Sequence, residues 1–113
     1  MTLKGLPDNA LVCRGGTCTA ERFAQGSGVT IDAAGCLRGV SVNSASDKTF
    51  VELTATIPNK KVGVSTVGAV RAAGGDVIPR PTSDNPFHCE LYGITPEKAE
   101  QLFIPTVQNP NIL

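Results

Sequence analysis

Phe87-His88-Cys89-Glu90-Leu91-Tyr92-Gly93-Ile94-Thr95-Pro96-Glu97-Lys98-Ala99-Glu100-Gln101-Leu102-Phe103-Ile104-Pro105 carries the clearest local structural chemistry in the chain. Residues 87–92 alternate apolar and polar, the period of a strand with one buried face. Phe87, Cys89 and Leu91 fall on one face, with His88, Glu90 and Tyr92 on the other. Gly93 ends the strand. Thr95 then stands as a helix N-cap, Pro96 at the first helical position and Glu97 in the first turn, where the helix dipole favours a negative charge. These signals predict a strand over 87–92 and a helix over 96–103, stopped by Pro105.

Upstream the same punctuation recurs. Ala10-Leu11-Val12-Cys13-Arg14 is a short apolar run halted by Gly15-Gly16, and it reads as a first strand. Thr19 caps a short helix over 20–25 that Gly26 ends; at two turns or fewer, it needs Phe23 to hold it to the core. Residues 29–32 and 37–42 flank Ala33-Ala34-Gly35 as a hairpin, with Val40 and Val42 inward and Ser41 and Asn43 outward. The alternation in residues 49–57 predicts another strand, with Val51, Leu53 and Ala55 on one face. Residues 62–64 read as an extended bridge. Ser65 or Thr66 then caps a helix ending at Gly74-Gly75, in which Gly68 suggests close contact with a strand. Pro79 and Pro81 push the strand beginning at Val77-Ile78 to a sheet edge. Residues 82–86 form a loop.

The expected class is therefore α+β: a small, mainly antiparallel sheet of about five or six short strands with two or three short helices. One compact domain covers 1–113, with 1–9 and 105–113 as extended termini. The 12 glycines and 8 prolines exclude a long bundle or coiled coil. Ten basic and 10 acidic side chains give a net charge of zero, which excludes a broadly basic nucleic-acid-binding face. The N-terminus lacks the apolar stretch of a signal peptide, and no apolar run is long enough for a membrane span. The expected location is cytoplasmic, or that of a domain released from a longer secreted protein. Cys13, Cys18, Cys36 and Cys89 read as free thiols ahead of disulfides or a metal set, since Cys13 and Cys89 lie within apolar alternations and there is one His.

His88, Glu90 and Tyr92 in a row offer a general base or acid, a group to orient it, and a proton donor. The bland alternative is the solvated face of an antiparallel strand. Arg14, before two glycines, and Arg80, between two prolines, are candidate anion clamps; Arg71 lies on the central helix. The alternative for each is an aliphatic stem reaching solvent. The glycine stretches lack the P-loop and dinucleotide fingerprints. Ser65 and Thr66 are explained as caps, and Thr82 and Ser83 as turn residues.

Together these residues suggest a small metal-independent endoribonuclease-like or toxin-like effector without a cofactor. His88, Glu90, Tyr92, Arg14 and Arg80 would be its catalytic set, and RNA its partner at a local cationic pocket. The alternative is a non-enzymatic protein–protein interaction module, or a self-associating subunit, binding a protein partner, an inhibitor or a second copy. Nucleotide-cofactor transfer chemistry ranks last. The spatial test is whether His88 and an arginine share a concave surface.

Overall fold

The computed structural model describes residues 5–112. In chain order the elements are β1 (Leu11–Gly15), α1 (Ala20–Ala24), β2 (Thr30–Ile31), β3 (Leu37–Ser44), α2 (Phe50–Thr54), β4 (Lys61–Thr66), α3 (Val67–Ala72), β5 (Asp76–Pro79), β6 (His88–Tyr92), α4 (Pro96–Phe103) and β7 (Val107–Gln108). The strands make one antiparallel, curled sheet in the order β5-β6-β3-β1-β4-β7, with β2 paired to β3 off this path. The domain is thus a small α+β fold. Of the expected termini, residues 1–4 lie outside the described residues, and β7 pairs with β4. Among the described residues no helix is long and apolar enough to cross a membrane.

Alternation within the strands builds the main core. Val40 and Val42 of β3 meet Leu91 and Cys89 of β6 across the ladder, and Val77 of β5 meets Leu91. Onto this face pack Phe23 of α1, Val67 and Val70 of α3, and Ala99 and Phe103 of α4, all buried. Phe23 and Phe103 hold α1 against α4, with ring centroids 5.5 Å apart. Thr95 caps α4 by accepting from the Lys98 N–H, with Pro96 inside the first turn. β5 lies at the edge, as expected from Pro79.

The segment expected as a strand over 49–57 is instead helical. Thr49 accepts from the Glu52 N–H at 3.2 Å, and Glu52 Oε1 accepts from the Thr49 N–H at 3.1 Å, a reciprocal capping box. Two satisfied backbone donors fix the first turn, so the alternation gives way to helical spacing: Leu53 is buried while Val51 is exposed. The strand lost here is regained in β4, because the expected bridge at 62–64 lies inside a full ladder with β1.

α2 covers a second, smaller core of Cys13, Leu53 and Val62 on the opposite face of the sheet. Its presence corrects the placement of Asn43. That side chain is buried rather than solvent-facing, donating through Nδ2 to the Leu53 carbonyl at 2.8 Å and to Thr56 Oγ1 at 2.9 Å. Asn109 in the C-terminal segment is likewise buried, donating to the Ile57 and Asn59 carbonyls. Gly68 is in close contact with Asp8 rather than with a strand: its N–H donates to the Asp8 carbonyl at 2.8 Å.

Candidate active site

A break in the sheet makes the site. β1 and β3 pair at Val12↔Ser44 and Cys13↔Asn43. Past Cys13, β1 continues along β4, with Arg14↔Gly63 and Gly15↔Val62, while β3 continues along β6, with Val42↔Cys89 and Ser41↔Glu90. The two strands diverge, and the gap opens as a cleft of about 350 Å³ whose walls include Arg14, Ser41, Asn43, Ile57, Asn85 and His88. Arg14 spans the gap, donating through Nη1 to the Ser41 carbonyl at 2.7 Å.

His88 is held at both ring nitrogens. Nδ1 lies 2.8 Å from the Arg80 carbonyl oxygen, which can only accept, so Nδ1 carries the proton. Nε2 is then the basic nitrogen. It accepts from the Ser41 hydroxyl at 3.2 Å, inside the cleft that Arg14 also lines. Asn85 donates to Asn43 Oδ1 at 2.8 Å, tying the loop before β6 to the cleft floor.

The remaining expected residues extend from His88 along the same strand. Arg80 Nε donates to Glu90 Oε1 at 3.2 Å, and the Tyr92 hydroxyl donates to the same oxygen at 2.5 Å. The Tyr92 hydroxyl foremost, with Arg80 beside it, holds the Glu90 carboxyl below the usual carboxylate range. Glu90 therefore stays ionised at neutral pH. Arg38 stacks over the Tyr92 ring at 5.6 Å. Glu90, Tyr92 and Arg80 do not line the cleft; they reach it through the Arg80 backbone carbonyl on His88. Arg71 lies elsewhere, bound to Asp8 and Asp76.

Arg14 has an unusual setting. Its guanidinium sits 5.8 Å from the centroid of the Phe23 ring, and burial lowers its basicity below the ordinary arginine value. A second hollow of about 430 Å³ meets the cleft at Arg14, Gly15 and Asn59, and it is also lined by Gly16, Arg22 and Gln25. Gly16 has a φ of +101°, which keeps the chain on this rim to a glycine.

Ser41, Asn43 and Asn85 line the cleft and were missed as site residues by reading the sequence alone. Ser41 was legible as outward-facing on its strand, but its place beside His88 depends on a pairing between distant segments. All four cysteines are unpaired, with Cys13, Cys18 and Cys89 buried. Among the described residues, no three His, Cys, Asp or Glu side chains converge as a metal-ligand set.

No protein-family model matches the chain, and searches of curated proteins and of solved structures return no match.

Proposed function

We propose that the protein is a metal-independent endoribonuclease that cleaves RNA by transesterification in the cleft between β1 and β3. The observation that carries this reading is the convergence of the basic His88 nitrogen and the Arg14 guanidinium on one concave surface. Substrate would displace the Ser41 hydroxyl and present its ribose 2′-hydroxyl to His88 Nε2. As the bond from O2′ to phosphorus forms, the proton passes to Nε2. As the bond from phosphorus to O5′ breaks, that proton passes to the departing oxygen, giving a 2′,3′-cyclic phosphate and a 5′-hydroxyl. Arg14 opposes the charge gathering on the phosphoryl oxygens.

Glu90 and Arg80 act here as positioning residues. The Arg80 carbonyl fixes the His88 tautomer, and its side chain is anchored by the Glu90–Tyr92 pair. Glu90 lies on the same face of β6 as His88.

Incubation of RNA with wild-type protein and with His88→Ala tests the reading. The variant is expected to lose about 100-fold or more in rate. DNA of the same sequence, lacking the 2′-hydroxyl, should stay intact. Ser41→Ala, which only uncovers Nε2, should cleave at least as fast as wild type. Cleavage by both wild type and His88→Ala, or by neither, would sink the assignment.

A further inference from the structure

The arginines of this fold fall into two groups. Arg71 and Arg80 are each neutralised by carboxylates, whereas among the described residues Arg14, Arg22 and Arg38 form no ion pair, and Arg38 lies over the Tyr92 ring instead. Arg14 and Arg22 line the larger hollow, and none of its described lining residues is acidic. Arg14 is half-buried, with a carbonyl oxygen and a ring face replacing part of its hydration. A partly desolvated cation without a counter-charge gains when an anion arrives. Gln25 and Asn59 add neutral polar side chains around the same space, and the glycines of the rim let a ligand come close to the backbone.

We propose that this hollow is a second phosphate subsite, filled by the phosphate adjacent to the scissile one. The two hollows meet at Arg14, which holds the scissile phosphate, while Arg22 grips the outer one. The preferred substrate is then an oligonucleotide with consecutive phosphates rather than a single isolated diester. This assignment of the occupant rests on the RNA-cleavage reading; the anion site itself does not.

Two measurements test it. The first compares binding of a non-cleavable 2′-O-methyl dinucleoside monophosphate with that of the same compound carrying one added terminal phosphate. The added phosphate should tighten binding about tenfold, the scale of one charge-assisted contact. Arg22→Gln, a change at an exposed position, should erase that gain while leaving the monophosphate affinity unchanged. No gain in the wild type, or a gain that survives in Arg22→Gln, overturns the proposal. The second measurement titrates inorganic phosphate and follows backbone amide shifts. Saturable changes at Gly16, Arg22 and Gln25 support the subsite even if no RNA is cleaved, in which case the cleavage reading alone falls. Their absence at tens of millimolar phosphate removes the subsite whatever happens to RNA.

Discussion

Cys13 packs with Leu53 and Val62, and loss of water pushes its thiol up to about 12. Burial likewise raises the thiols of Cys18 and Cys89. The nucleophile in thiol chemistry is the thiolate, so these three should be inert in the folded protein. Cys36 is less enclosed. An aromatic disulfide reagent at pH 8 should titrate one thiol quickly, and the other three only after denaturant is added. More than one fast thiol would contradict the burial assigned to the other three. Glu90 gives a second prediction of this kind. Its carboxyl is held below the ordinary range, so its contribution is fully present above the unfolded value, about pH 4.3, and fades as pH falls through the folded one. Tyr92→Phe removes the principal hydrogen bond and should lower stability by about 1 kcal/mol at pH 6. That is below the range of about 1.5–3 kcal/mol usual for a charged acceptor, since water reaches the pair. Urea midpoints of wild type and variant should converge as pH falls below the ordinary carboxylate range; a constant gap across pH would assign the loss to ring packing instead.

The element most dependent on a short-range signal is α2. Thr49 satisfies a backbone N–H that would otherwise lack a partner, and Thr49→Ala should cost about 1 kcal/mol. In a domain of this size that is a fall of about 4 °C in thermal midpoint. The wild type and Thr49→Ala should show equal RNA cleavage well below their transitions, since Thr49 does not line the cleft. An unchanged midpoint would show that packing of Leu53, not the cap, holds the helix. The same segment shows what the sequence could and could not tell. Thr49 and Glu52 stand at capping-box spacing and were available to be read, yet the alternation of Val51, Leu53 and Ala55 over the same residues was equally good. By contrast the stretch from β6 to α4 was legible because every signal agreed: alternation, Gly93, the Thr95 cap and Pro96. His88 and Arg14 could each be singled out by residue type. Their sharing of a cleft could not, because the gap arises where β1 and β3 choose different partners, and those pairings join segments far apart in sequence.

At the scale of the whole molecule, zero net charge means that no broad field draws a polyanion in. On the proposed reading, binding rests on the few cations left uncompensated at the cleft, and the ion pairs of Arg71 and Arg80 remove those two from the tally. Arg14 and Arg22 remain at the two joined hollows. Each phosphate contact on a single strand contributes about 0.7 to the slope of log affinity against log salt. Two contacts therefore predict a slope of about −1.4 for a non-cleavable single-stranded oligonucleotide, and Arg22→Gln should reduce it to about −0.7. A face-wide basic binder of the same size would give a slope several times steeper. Affinities measured over a range of sodium chloride concentrations separate the cases. A steep slope in both proteins would mean that phosphates are gripped away from the two hollows. A flat one would mean that no phosphate is gripped, leaving Arg14 a cation that serves only to bridge the split between β1 and β3.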